Sequence, residues 1–162
     1  MTYTIRPFEP SDAGALSDIA LAAIRNIGAN AYNSAQIDAW AGRHGGADMY
    51  RQRAVAGHVI FVAVDEGDRP VAYALIEPDG HLDRLYNHPD HTRQGLAQLL
   101  LRAAEIYGRA HAMTRLYTEA SELARPSFER AGYTVVERRD FSIEHEGKSV
   151  PIHNYAMEKT LD

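Results

Sequence analysis

The segment His81-Leu-Asp-Arg-Leu-Tyr-Asn-His-Pro-Asp-His-Thr-Arg-Gln-Gly-Leu-Ala-Gln-Leu-Leu-Leu101 carries more structural information than any other part of the chain. It reads as a strand from His81 to Asn87, a polar loop from His88 to Gln94, and a strong helix from Gly95 to about Arg109. Leu96, Leu99, Leu100, Ala103 and Tyr107 recur at helical spacing and predict the buried stripe of that helix. A helix start leaves backbone N–H groups unpaired and carries about half a positive charge, so it is a ready seat for phosphate. Gly95 and Ala97 are small enough for a pyrophosphate to approach the backbone, and Arg93 and Gln94 add side-chain donors. Alone, Gln-Gly-Leu-Ala is a weak signal; the strand–loop–helix context gives it weight. It is no Walker loop, because no Gly-Lys-Ser/Thr follows.

Outward from this segment, strands and helices alternate. Tyr3 to Arg6 reads as a strand. Ser11 or Asp12 then caps a helix whose apolar face is Leu16, Ile19, Ala20, Ala23, Ile24 and Ile27, with Gly28 as its end. Asn33 and Gln36 have capping-box spacing before a helix carrying Ile37 and Trp40. A short helical stretch spans Asp48 to Ala56. His58–Val64, Pro70–Ile76 and His81–Asn87 form an antiparallel meander, with turns at Glu66-Gly67-Asp68 and Pro78-Asp79-Gly80. Arg115–Thr118 is a short strand. Leu123–Ala131 is helical with an irregular first turn at Pro126 and a stop at Gly132. Tyr133–Glu144 and Ser149–Met157 form a final hairpin. The pattern is α/β (α+β) in class: a mixed, mostly antiparallel sheet flanked by helices.

Composition bounds the function. The 162 residues, 45% hydrophobic and 24% charged, predict one domain over 1–162 with a real core. No cysteine is present, which excludes a disulfide framework, a thiolate metal site and a catalytic thiol, and fits a reducing cytoplasm. Seventeen basic residues against 22 acidic ones give a net charge of −5, which speaks against a broad nucleic-acid surface. No run approaches the roughly 20 apolar residues of a membrane helix. The N-terminal residues lack the basic start and apolar stretch of a secretion signal. No membrane or nucleic-acid partner is expected. His88 and His91 are three apart, but no Glu-x-x-His-type helix accompanies them, so no metal site is expected either.

At the loop Thr92-Arg-Gln-Gly95-Leu-Ala97 the chain resembles the GNAT superfamily of acetyl-CoA-dependent N-acetyltransferases. Their pyrophosphate loop reads Gln/Arg-x-x-Gly-x-Gly/Ala, and Thr92 stands here at its first position. A second likeness is Ser121-Glu-Leu-Ala124-Arg-Pro-Ser-Phe128-Glu-Arg-Ala-Gly132-Tyr133. Ser121 replaces an Asn that often bonds the pantetheine arm, and Phe128 replaces a Tyr that is frequently the acid for the leaving thiol. The resemblance covers nearly the whole chain in element order. It implies a sheet splayed between its fourth and fifth strands, with acetyl-CoA wedged in the gap. It also implies a donor site made by Leu85, Tyr86 and Asn87, by Thr92 through Gln98 (Arg93, Gln94, Gly95, Leu96 and Ala97 between them), and by Ser121, Ala124, Phe128 and Arg130. Arg93 and Arg130 suit the phosphates.

The family transfers acetyl directly to an amine in a ternary complex, and the absence of Cys agrees with that. A carboxylate is the usual base. Asp83, on the strand that leads to the loop, is the first choice, His81 the second and Glu119 a third. A backbone N–H among Leu85 to Asn87 would polarise the carbonyl. Tyr155 and Tyr133 carry the group an acid needs, with Tyr133 better read as core in the Gly-aromatic motif; water is the alternative, because the leaving thiolate is fairly stable. Tyr32, Trp40 and His153 are expected to wall the acceptor pocket, and the net acidity is compatible with a cationic amine. A monomer or homodimer is expected. The competing function is a non-catalytic acyl-CoA-binding or regulatory module on the same fold, suggested by the residues at 121 and 128.

Overall fold

The computed structural model describes residues 2–44 and 46–162. Strands β1 (Thr4–Pro7), β2 (Val59–Val64), β3 (Pro70–Ile76) and β4 (Leu82–Asn87) form one antiparallel sheet in the order β1-β2-β3-β4. Strands β5 (Arg115–Ala120), β6 (Thr134–His145) and β7 (Lys148–Thr160) form a second, in the order β5-β7-β6. The expected meander and final hairpin are both present, and the splay lies between β4 and β5.

Alternation along the central strands sends side chains to two cores. Ile60, Val62 and Val64 of β2, with Tyr73 and Leu75 of β3, pack on helix α1 (Ala13–Ala22) and on Tyr50 of helix α3 (Ala47–Val55). Ala63, Ala72, Ala74 and Ile76 face helix α4 (Leu96–Ala110) on the other side. The third core joins helix α2 (Ser34–Gly42) to the β6–β7 hairpin through Ile37, Ile143 and Ile152. Among the described residues no helix is long and apolar enough to cross a membrane.

Three local expectations are corrected. First, Gly28 does not end the first helix. The chain widens into a π turn at Ala23–Ile27 and tightens into a 3-10 turn at Gly28–Asn30, with Gly28 buried. Asn26 Nδ2 donates to the Ala22 carbonyl at 2.9 Å, taking the acceptor that its own backbone N–H would use in an α-helix. Second, the buried stripe of α4 is Leu96, Leu100, Leu101, Ala104 and Gly108, while Leu99 is 43% exposed. Third, helix α5 is shorter than read, Arg125–Arg130, with Pro126 tolerated in its first turn. Its end is as expected. Gly132 (φ 95°) donates to Glu129 O and Tyr133 N–H to Phe128 O, both at 3.0 Å, with the Phe128 and Tyr133 rings in edge contact at 5.0 Å.

Candidate active site

Strand β4 pairs with β3 on one side and parts from β5 on the other. Among the described residues their link is confined to one end: a parallel bridge between His81 and Tyr117, the Tyr117 N–H to Gly80 O at 3.1 Å, and the Thr118 hydroxyl to Leu82 O at 2.7 Å. Beyond it the gap holds two cavities. The larger, about 600 Å³, lies over the start of α4. The smaller, about 390 Å³, lies between α2, β4, β5 and the β6–β7 hairpin. Trp40, Leu85, Tyr86, Ser121 and Ala124 line both, so the two spaces meet at the middle of the splay.

The larger cavity is built by the loop that the sequence singled out. Arg93 (φ 61°) and Gly95 (φ 78°) both turn left-handed, and no side chain caps α4. The first-turn amides therefore have no partner within the helix and stand free for an anion. A Cβ built on Gly95 would meet nothing within 4 Å, so the approach to the backbone is open. Arg93 and Arg130 line this cavity, and among the described residues neither has a carboxylate within 4.0 Å. Of the residues expected to hold the donor, all but Gln94 and Phe128 line the larger cavity. Phe128 lines the smaller one. Gln98 also donates to Ser127 O (3.0 Å), and Ser121 Oγ accepts from the Ala124 N–H (3.1 Å). Both side chains thus help position α5.

Tyr32, Trp40 and His153 all line the smaller cavity. The Tyr32 ring lies 5.6 Å from Trp40 and 5.7 Å from His153. Its hydroxyl accepts from the Glu122 N–H (2.9 Å) and donates to His153 O (3.1 Å). It ties the N-terminal helices to the second sheet, and burial pushes its pKa up.

Asp83 and Glu119 line the same cavity. Asp83 is the extra residue of a β-bulge, since Leu75 opposes Arg84 and Ile76 opposes Leu82. Its Oδ2 accepts from Arg53 Nη1 at 3.0 Å and lies 3.8 Å from Arg84 Nε. Arg53 also reaches Glu77 at 3.1 Å. His81 does not line either cavity. It donates to Glu119 (2.8 Å) and Glu77 (3.1 Å) and stacks on Tyr117. Burial alone would lower its pKa, but the bonds to Glu119 and Glu77 prevail and hold it at about 9. An imidazolium at neutral pH has no lone pair to accept a proton, so the reading of His81 as a base is corrected. Tyr155 is also displaced from both cavities. Its hydroxyl donates to Glu122 Oε1 (3.2 Å) beneath the Arg125 guanidinium, a poor position for a proton donor to a substrate.

Sequence reasoning missed Arg43, Arg84 and Arg139, each from a different element lining the smaller cavity. It also missed His44, whose Nδ1 accepts from Arg84 Nη1 at 2.6 Å. Burial, aided by the Arg84 charge, lowers the His44 pKa to about 4, so that ring is neutral. No local pattern marks these residues; they meet only through tertiary packing.

A family model described as an acetyltransferase (GNAT) domain matches residues 28–158. The chain is 29% identical over 136 residues to the uncharacterized N-acetyltransferase YafP of Escherichia coli K12, an alignment covering 83% of each chain. Among solved structures, it is similar to a GCN5-related N-acetyltransferase from Rhodopseudomonas palustris. The TM-score is 0.86 and the identity 29%, over 99% of this chain and 97% of that one. The PaiA N-acetyltransferase of Thermoplasma acidophilum, solved with coenzyme A, gives a TM-score of 0.79 at 16% identity, over 99% of this chain and 100% of that one. At that identity the likeness is one of fold.

Proposed function

The chain belongs to the GNAT acetyltransferase family, and from that membership we infer a direct acetyl transfer from acetyl-CoA in the larger cavity to a small amine in the smaller. The observation that carries this reading is the meeting of the two cavities at Leu85 and Tyr86, on the edge of β4 that no strand covers. The fit to the donor rests on the uncapped start of α4, the open approach at Gly95 and the guanidiniums of Arg93 and Arg130, which have no carboxylate within 4.0 Å among the described residues. The amides of Leu96 and Ala97 with those arginines would hold phosphate oxygens. The free edge of β4 would hold the amide-bearing arm as an added strand.

Acetyl-CoA supplies an acyl carbon already activated as a thioester. Asp83 takes the proton from the acceptor ammonium, directly or through one water, and frees the nitrogen lone pair. The N–C bond forms as the C–S bond breaks; the second nitrogen proton, lost as the amine becomes an amide, passes to the departing thiolate sulfur, and the first leaves Asp83 to solvent. A backbone N–H among Leu85 to Asn87 stabilises charge developing on the carbonyl oxygen. Phe128 offers no proton, so the thiolate departs without a side-chain acid at that position. Arg53 holds the Asp83 carboxylate in place at 3.0 Å, and His81 holds Glu119 at 2.8 Å.

Calorimetric titration with acetyl-CoA, followed by thiol release over a panel of amines, tests the assignment. Binding and release are expected, with Asp83→Asn lowering kcat about 10²- to 10⁴-fold while acetyl-CoA affinity stays within about two-fold. Absence of acetyl-CoA binding overturns the reading. Binding with no release from any amine favours an acyl-CoA-binding module instead.

A further inference from the structure

The smaller cavity carries a charge opposite to that of the chain as a whole. Arg43 at the end of α2, Arg84 on β4 and Arg139 on β6 all line it. Among the described residues no carboxylate lies within 4.0 Å of Arg43 or Arg139. Asp140, next to Arg139 in sequence, is taken by Arg138 at 3.1 Å. Arg139 instead lies over the Phe141 ring and reaches only the neutral Asn154 at 3.5 Å.

Arg84 is more telling. Its side chain is 15% exposed, and its short contacts are to neutral groups, His44 at 2.6 Å and the Tyr50 hydroxyl at 3.3 Å. The nearest carboxylate oxygen stands 3.8 Å away and already accepts from Arg53. Glu119, the other acid on the wall, is matched by His81. Arg84 thus shares its Asp83 partner with Arg53 at a longer distance, and a ligand oxyanion in its fork would supply a closer counter-charge to a guanidinium largely withdrawn from water.

We propose that the acceptor is a small zwitterion, an amine that also carries an oxyanion, held through that anion by Arg84, Arg139 and Arg43. The proposal rests on the assignment of the smaller cavity to the acceptor. Asp83 and Glu119 on the same wall receive the ammonium end, and Trp40 and Phe141 pack against the carbon skeleton. A cavity of about 390 Å³ fits an amino acid or an aminoalkylphosphonate. Those two sources share the oxyanion that the arginines recognise.

The test compares L-amino acids, their carboxamides, the corresponding decarboxylated amines and 2-aminoethylphosphonate as acceptors. Trp40, the single Trp, lines both cavities and reports binding by fluorescence without turnover. At least one amino acid or phosphonate is expected to bind and react with kcat/KM about ten- to hundred-fold above its carboxamide or decarboxylated analogue. Arg139→Gln is expected to raise KM for that acid by a similar factor and shrink its preference over the carboxamide. Arg139→Lys should restore part of it. Preference for uncharged or polyamine acceptors overturns the proposal and leaves the acetyltransferase reading intact. So does a fluorescence titration in which acetyl-CoA binds but no acid or phosphonate does. Loss of acetyl-CoA binding itself speaks against the enzyme reading instead, and the fluorescence titration without donor still decides on the anion.

Discussion

Replacing His81 by Gln exposes how much of the splay's closed end depends on one proton. The imidazole bridges Glu77 on one side of the gap and Glu119 on the other, and the folded protein holds its pKa at about 9 against 6.5 for the free side chain. A folded pKa above the unfolded one means that folding takes up a proton. The stabilisation is therefore fully present below pH 6.5 and is lost as pH rises through about 9. At about 1.4 kcal/mol per pH unit, the interval corresponds to about 3 kcal/mol. Gln keeps the amide donor but cannot take the charge, so groups common to both proteins cancel in their difference. Urea unfolding of wild type and H81Q at pH 6, 8 and 10 is the assay. The wild-type advantage is expected to shrink by about 3 kcal/mol between pH 6 and 10, about 6–12 °C in Tm for a domain of this size. An NMR titration of the wild-type imidazole reads the same quantity directly. Parallel stability profiles, a gap that widens with pH, or an imidazole midpoint near 6.5 would refute the bridging role.

Gly95→Ala places a Cβ at φ 78° where nothing lies within 4 Å, so the folded state should lose only the left-handed backbone cost of about 1–2 kcal/mol. Acetyl-CoA affinity by calorimetry should fall about ten-fold or more, as a methyl group then stands in the path to the helix start; unchanged affinity would place the phosphates elsewhere. Tyr32→Phe removes a bond to His153 O and strands the Glu122 N–H, costing about 1–3 kcal/mol by thermal unfolding. It should also raise KM for the amine more than for acetyl-CoA.

The larger cavity was legible in outline because the segment that builds it is contiguous. Strand, loop and helix start fall within His81 to Leu101, and small residues, a left-handed turn and an uncapped helix act over neighbouring positions. The helix itself was found, but its buried face was misplaced. Leu99, Leu100 and Leu101 are consecutive, so two stripes about 100° apart have nearly equal apolar content. Packing chose the one that brings Gly108 against the sheet. A Cβ there would lie 3.0 Å from Leu161 and 3.2 Å from Leu116, so a larger residue would have to push those side chains aside. A hydrophobic count gives such a residue no weight, although it lies on the buried face with Leu96, Leu100, Leu101 and Ala104.

The smaller cavity was harder to read for a different reason. Its wall comes from α2, β4, β5 and the final hairpin, so Arg43, Arg84 and Arg139 are neighbours only after folding. The net charge of −5 is compatible with a cationic acceptor but does not select one, because it averages over the whole surface. Glu77, Asp83 and Glu119 are engaged by Arg53 and His81, while Arg43 and Arg139 have no acid within reach among the described residues. What a ligand meets is the residue of that pairing, not the total. The recognition chemistry of this cleft therefore follows from which charges remain unmatched at 4 Å. Because screening acts within about 8–10 Å at ordinary salt, the distant acids that set the chain's sign contribute little to the field inside it.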